Sequence, residues 1–418
     1  MSSVWKLPDS VFAQRIGGEK FLTCNKIYKF EKIKRDRREA MRLYPTRALI
    51  DMGVGEPDAM ASDSTVGFLR DEALDYKNRG YADNGCVEFK DAIAEYMKSQ
   101  FGVELNVNTQ ILHSIGSKSA LSMLPLCFVN PGDVVIQTVP GYPIFATHTK
   151  YLLGDVIGLP ISSKNNFLPN FDDVPEEVWK KVKVVIVNYP NAPTGACATV
   201  EFFKKLVDLA HERSFVVIND AAYSDLTFEK SDRLSLLSID GAMDVGLELH
   251  SMSKGFNMTG WRIGWVCGNT DLVKAYGFVK DNTDSGQFLA IQKAAAKTLR
   301  DCKAIPENNA KKYLGRMTKI IPILKDCGFK VECPKAGFYL YMRSPKFVKY
   351  LGSTYEFYNA EEFAQWMVKE LGIVVVPYDD VENCIRLSMT FGVKGVTDDE
   401  IINVFRERMM GASFIFVN

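Results

Sequence analysis

Short β-branched runs alternate with amphipathic helical stretches through the middle of this chain. Asp133–Val139 (DVVIQTV), Val184–Asn188, Phe215–Asp220, Val245–His250 and Ile263–Cys267 are each only 5–7 residues long and mostly apolar. Runs of that length and composition predict strands covered on both faces. Between them lie segments such as Glu201–Arg213, where Phe202, Phe203, Leu206, Leu209 and Ala210 share one helical face. Strand–helix alternation predicts a largely parallel sheet with helices packed on it. Beyond Arg300 the pattern changes to a long helix, paired strands and a final helix. Val331–Glu332 and Gly337–Met342 are placed to pair across Cys333–Ala336, and Ile373–Val376 and Ile385–Met389 follow. Thr397-Asp-Asp-Glu400 forms a capping box ahead of the apolar positions Ile401, Ile402, Val404 and Phe405. The expectation is an α/β fold. Its large domain, 61–299, carries a mostly parallel, helix-covered sheet. A smaller α+β domain is built from both chain ends, 300–418 with the N-terminal arm 1–60.

Composition narrows the function classes. At 418 residues the chain exceeds one ordinary core. Its 51 basic residues balance 51 acidic ones, so no net field recruits nucleic acid or an anionic membrane. The basic cluster Lys32–Arg42 is interrupted by Asp36 and Glu39 and reads as a solvated helix face. Nine cysteines include no CxxC pair, and four histidines (113, 148, 211, 250) are scattered. Neither a metal site nor a disulfide framework is expected, and unpaired thiols point to a reducing compartment. MSSVWKLPDSVF has no signal-peptide pattern. The longest apolar stretch, near Leu121–Val129, is far short of the ~20 residues that span a bilayer. A cytoplasmic protein is expected.

The densest chemical signal is Ser251-Met-Ser-Lys-Gly-Phe-Asn-Met-Thr-Gly-Trp-Arg-Ile-Gly-Trp265. Ser251 and Ser253 precede Lys254, and Arg262 follows it by eight residues. Hydroxyls and a guanidinium suit a phosphate dianion. A lysine held beside that phosphate can form an imine with the aldehyde of pyridoxal phosphate. The segment resembles the S-x-S-K…G-x-R-x-G motif of the fold-type I pyridoxal-phosphate aminotransferases.

That resemblance assigns expected roles along the chain. Lys254 would carry the cofactor and act as general base. Asp220, 34 residues earlier in Asn219-Asp-Ala-Ala-Tyr223, would hold the pyridine nitrogen, and Tyr223 the ring oxygen. Asn188-Tyr-Pro-Asn-Ala-Pro-Thr-Gly195 is similar to the family's N-P-T-G turn. Ala192 stands where the family usually has asparagine, leaving Asn191 to take over that bond. Ser117 and Lys118, opening a helical pattern, would close on the phosphate with Ser251, Ser253 and Arg262. Tyr142 in Pro140-Gly-Tyr-Pro143 would stack on the ring. Arg386 in Cys384-Ile-Arg-Leu-Ser388 would grip the substrate α-carboxylate, with Gly55 of Gly53-Val-Gly-Glu-Pro-Asp58 beside it.

Two further segments are similar to LL-diaminopimelate aminotransferases. Lys26–Ile33 resembles their Y-x-F-x-x-I arm, and Gly80-Tyr-Ala-Asp-Asn-Gly85 their G-Y-x-x-x-x-G segment, one residue shorter and with Asp for Glu. This implies a homodimer with shared sites. Tyr28 would enter the partner's substrate site, Tyr81 would meet its phosphate, and Asp83 would meet the substrate's distal ammonium, with Asn84 as a neutral donor nearby. The expected reaction is ping-pong transfer between LL-2,6-diaminopimelate and 2-oxoglutarate, in lysine biosynthesis. Aspartate, alanine or aromatic amino acids are the alternative substrates. A non-catalytic cofactor-binding regulator is a different class, but no segment is left over for a DNA-binding helix pair. A nicotinamide oxidoreductase would want G-x-G-x-x-G after a strand, which is missing.

Overall fold

The computed structural model describes residues 9–22, 29–45 and 47–417. Seven strands form the large sheet: β1 Ile111–Ser114, β2 Val134–Val139, β3 Asp155–Pro160, β4 Val182–Val187, β5 Val216–Asp220, β6 Gly246–Ser251 and β7 Gly264–Gly268. Their spatial order is β1-β7-β6-β5-β4-β2-β3. Only β7 runs against its neighbours, β1 and β6; the others pair in parallel. Apolar side chains on the sheet's two faces enter separate cores, one with Phe203, Leu206 and Val217, the other with Leu124, Val184 and Leu249. Burial on both faces explains the unbroken apolar runs. The edge strands β1 and β3 did not stand out in the sequence. β1 is four residues long, and β3 is largely solvent-facing and ends at Pro160, as edge strands tolerate.

The smaller domain has its own core, including Phe338, Leu340, Phe363 and Phe405. Three antiparallel strands carry it: β8 Tyr339–Arg343, β9 Val376–Tyr378 and β10 Cys384–Ser388, ordered β9-β10-β8. The hairpin expected across Cys333–Ala336 does not form. That segment spends its backbone bonds on the large domain instead. Ala336 N donates to Gly195 O (3.1 Å), Gly337 N to Leu226 O (2.9 Å), and Lys335 O accepts from Phe228 N (3.0 Å). Val331 lies in the core without belonging to a strand. The run Ile373–Val376 is shared between two pairings: Ile373–Val374 runs parallel to Ile50–Asp51, while Val376 starts β9. The N-terminal segment therefore returns to this domain.

The capping box forms as expected, Glu400 N donating to Thr397 Oγ1 (3.3 Å) and Thr397 N to Glu400 Oε2 (2.7 Å). In the basic helix Lys29–Leu43, Lys32 pairs with Glu361 and Arg37 with Asp51. No helix among the described residues is long and apolar enough to cross a membrane.

Candidate active site

The site gathers at the carboxyl ends of β5 and β6, where an α/β sheet exposes its loops. β6 ends at Ser251, whose Oγ accepts from Ser253 N (3.2 Å) and caps the short helix Met252–Gly255. That turn delivers Lys254, whose Nζ donates to Gly55 O at 2.5 Å. Withdrawal from water lowers the lysine to about 8, helped by the Arg386 and Arg262 charges and opposed by Glu56 and Asp220. A buried ammonium beside two guanidiniums is primed to lose its proton.

Asp220 closes β5 and is 5% exposed. Burial raises its carboxyl to about 6, against the Ala222 backbone N–H, His250 and Lys254. Its Oδ1 is buried with no hydrogen-bond partner. Such a group calls for a donor from elsewhere. Tyr223, three residues on, places its hydroxyl 2.9 Å from that of Tyr339.

The turn 188–195 is fastened to β5, because Asn188 Nδ2 donates to Asp220 O (2.6 Å) and its Oδ1 accepts from Ala192 N (2.9 Å). Asn191 Oδ1 accepts from Thr194 N and Oγ1, while its buried Nδ2 has no partner. Asn191 thus keeps an amide donor unspent next to the position where Ala192 has none.

Arg262 adopts a left-handed backbone, φ 56°. Its Nη1 donates to Thr259 O (2.8 Å) and reaches Ser253 Oγ at 3.4 Å. A Cβ on Gly116 would lie 2.4 Å from Arg262 Nη2. Glycine there lets the guanidinium reach the start of the helix Ser117–Phe128, where backbone N–H groups are open. Arg386, on β10, is 4% exposed. Its Nη2 donates to Gly53 O (2.8 Å), its Nε is unpartnered, and its Cζ lies 4.2 Å above the Tyr339 ring centre. Gly55 has a reason too: a Cβ there would lie 2.8 Å from Tyr339 Oη.

Lys254, Asp220, Tyr223, Ser251, Ser253, Arg262, Arg386 and Gly55 therefore come together through these bonds and fields. Ser117 is half-buried at its helix start, whereas Lys118 and Tyr142 are exposed. Tyr81 and Asp83 also face solvent, and Tyr28 lies outside the described residues. Asn84 bonds Asp281 and accepts from Gly286 N (3.1 Å), so its amide is spent holding the loop 282–288. Tyr339 was missed. Phe338-Tyr-Leu-Tyr-Met342 is apolar or aromatic at every position, so no alternation marks which side chain enters the site.

Pyridoxal phosphate fits the donors and acceptors that these residues offer. The orphaned Asp220 oxygen suits a protonated ring nitrogen, and Asn191 Nδ2 with the Tyr223 hydroxyl suits the ring oxygen. Ser253, Arg262 and the open helix start suit the phosphate, and the Lys254 amine suits the aldehyde.

Fold and site define a pyridoxal-phosphate-dependent transferase. Residues 47–405 match the family described as aminotransferase class I and II. Over 417 residues the chain is 45% identical to LL-diaminopimelate aminotransferase of Methanocaldococcus jannaschii, covering 97% of this chain and 98% of the relative. It is 47% identical over 414 residues to the protein of the same name from Methanococcus maripaludis, again covering 97% and 98%. Among solved structures, substrate-bound BacF from Bacillus subtilis superposes with a TM-score of 0.85 at 27% identity, covering 95% of this chain and 98% of that one. The chain belongs to the class I and II aminotransferases.

Proposed function

We propose that this enzyme moves an amino group from LL-2,6-diaminopimelate to 2-oxoglutarate by ping-pong turnover, as a step of lysine biosynthesis in the cytoplasm. The observation that carries the substrate is the 45% and 47% identity, nearly end to end, with two proteins named for it.

Bound pyridoxal phosphate supplies an aldehyde that takes the amino group and a ring that accepts the electron pair left at Cα. The chain's residues do the rest. Arg386 offers its guanidinium, already oriented by Gly53 O and Tyr339, to the α-carboxylate. Lys254, lowered to about 8, serves near neutral pH as the base that moves the Cα proton. Asp220 retains the proton on the ring nitrogen, and Tyr223 and Asn191 orient the ring oxygen. Ser117, Lys118, Ser251, Ser253 and Arg262 hold the phosphate, and Tyr142 covers the ring face. Arg386 comes from the small domain, 300–418, and Lys254 from the large domain, 61–299, so the substrate sits between them.

The working form is a homodimer. Tyr76, Tyr81 and Phe288 stand exposed on the turn 76–85 and the loop that Asn84 fastens to it. An exposed aromatic surface of that kind suits a partner subunit. There Tyr28, Tyr81 and Asp83 serve the neighbouring site.

Half-reaction spectra test the reading. The holoenzyme is mixed with one amino acid at a time, without an oxo acid. LL-2,6-diaminopimelate and glutamate should each convert the bound cofactor from its aldehyde to its amine form. Conversion by aspartate, alanine or phenylalanine but not by LL-2,6-diaminopimelate would reassign the substrate. No conversion by any of them would leave a cofactor-binding protein without turnover.

A further inference from the structure

Arg262 is not glycine, yet its backbone sits at φ 56°, ψ 54°. That region is strained for an L-residue and persists only where the surroundings impose it. Gln287 bonds the carbonyls of that turn. Its Nε2 donates to Trp261 O and to Arg262 O, both at 3.0 Å.

The Gln287 amide is itself oriented. Its Oε1 lies 2.8 Å from His113 Nε2. An amide oxygen only accepts, so His113 Nε2 carries the hydrogen. The other ring nitrogen, Nδ1, is buried without a partner, as a bare nitrogen can be at least cost. Burial and the Lys280 charge lower His113 to about 4, which keeps the ring neutral, and the Gln287 oxygen at Nε2 with no partner at Nδ1 favours this tautomer. A flipped Gln287 amide would put its oxygen against two carbonyls and its NH₂ against an N–H.

The loop that bears Gln287 is clamped on both sides. Gln292 Nε2 donates to Gln287 O (2.8 Å), and Gln292 Oε1 accepts from Cys86 N (2.8 Å). The preceding Gly286 has φ 73°, and a Cβ there would lie 2.0 Å from Ala82 O. Its N–H donates to Asn84 Oδ1 (3.1 Å).

We propose that Gln287 and His113 are positioning residues for the cofactor phosphate. Gln287 holds the left-handed turn that aims the Arg262 guanidinium past Gly116, and His113 fixes which way the Gln287 amide faces. The proposal rests on Arg262 being a phosphate ligand.

The test is cofactor binding by the apoenzyme, read by titration with pyridoxal phosphate and with pyridoxal, which lacks the phosphate. Inorganic phosphate serves as a competitor. Gln287→Met keeps the side chain's length without its donors, and Gln287→Glu replaces the donors with an anion. Both should raise the Kd for pyridoxal phosphate by roughly tenfold or more and weaken phosphate competition equally. Pyridoxal binding should change by less than about twofold. Gln287→Glu should be the worse of the two. His113→Phe should lose less than Gln287→Met, and the double variant should lose no more than Gln287→Met alone. Unchanged pyridoxal phosphate affinity in both Gln287 variants overturns the proposal, as does an equal loss for pyridoxal, which would mark a purely structural role. A variant that fails to fold gives that second outcome unless the other binds selectively as stated. Arg262→Ala separates the two levels. If it leaves phosphate competition intact, the assignment of Arg262 fails, whatever Gln287 does.

Discussion

The hydroxyl of Tyr339 lies 2.9 Å from the hydroxyl of Tyr223, and the Tyr339 ring also supports the Arg386 guanidinium at 4.2 Å. One buried side chain of the small domain thus braces both the group proposed for the ring oxygen and the group proposed for the α-carboxylate. If Tyr223 donates to the ring oxygen, Tyr339 must donate to Tyr223.

Tyr339→Phe separates these supports. It keeps the cation–π contact and removes one neutral hydrogen bond, worth about 0.5–1.5 kcal/mol. The expected result is a loss of a few-fold to tenfold in kcat/KM. Tyr339→Leu also removes the platform under Arg386 and should add a rise in KM. Steady-state kinetics of the two variants check this, and a Phe variant as impaired as Leu would assign the effect to packing.

Much of this arrangement was legible in the sequence because strand ends announce themselves. Asp220 closes one buried strand and Lys254 follows another, and Ser251 caps the short helix that carries Ser253 and Lys254, all of it short-range chemistry. The partners across the domains were not legible. Tyr339 reaches Tyr223 over 116 positions, and Gln287 reaches His113 over 174. Neither spacing has a periodicity. Likewise the local pattern at Val331–Glu332 predicts half of a hairpin. The competing backbone bonds of Lys335–Gly337 to Gly195, Leu226 and Phe228 exist only once the domains are docked.

Asp220 should trade stability for function. In the apoenzyme its carboxyl is raised from 3.8 to about 6, so the folded state holds a proton that the unfolded chain releases. Stability therefore falls as pH rises from about 4 through 6, and the cost by pH 7 is about 3 kcal/mol. Asp220→Asn removes the titration. Apo Asp220→Asn should melt above apo wild type at pH 7 and match it near pH 4, while the loaded variant turns over roughly a hundred- to thousandfold more slowly. Melting curves across pH, paired with turnover, check both halves. Near-native turnover would mean that another acid holds the ring nitrogen.

Lys254 should titrate far below an ordinary lysine. Its amine, lowered to about 8, should react with an acylating reagent in the apoenzyme with a midpoint near pH 8. Because the Arg386 charge contributes to that lowering, Arg386→Leu should move the midpoint upward. Borohydride reduction of the holoenzyme should attach the pyridoxyl group to Lys254, located by peptide mass mapping. Labelling elsewhere, or none, removes Lys254 from its role.

Arg386→Lys keeps a positive charge but loses the planar pair of donors. A carboxylate held by two charge-assisted bonds should lose about 1.5–3 kcal/mol when one is removed. The expectation is a ten- to hundredfold fall in kcat/KM, carried mainly by KM, for LL-2,6-diaminopimelate and glutamate alike. A loss confined to one of the two would place Arg386 at the distal end of the substrate rather than at the shared α-carboxylate.

The proposed exchange of residues between subunits makes the sharpest prediction about the exposed turn. Tyr81 is fully exposed, and Asp83 faces solvent with its carbonyl accepting from Gly85 N at 2.8 Å. Neither has reason to affect chemistry in its own subunit. If both serve the partner, Lys254→Ala chains mixed and refolded with Tyr81→Ala chains should regain activity, since one site of the hybrid has both its lysine and its tyrosine. Each variant alone should stay impaired. Asp83 adds a substrate signature. Glutamate presents only a carboxylate at its far end, whereas LL-2,6-diaminopimelate presents an ammonium as well, which an aspartate binds with about 1.5–3 kcal/mol. Asp83→Ala should therefore impair the diamino substrate roughly tenfold more than glutamate. Equal losses, or recovery in mixtures of Lys254→Ala with wild type only, would return the turn 80–85 to a structural role.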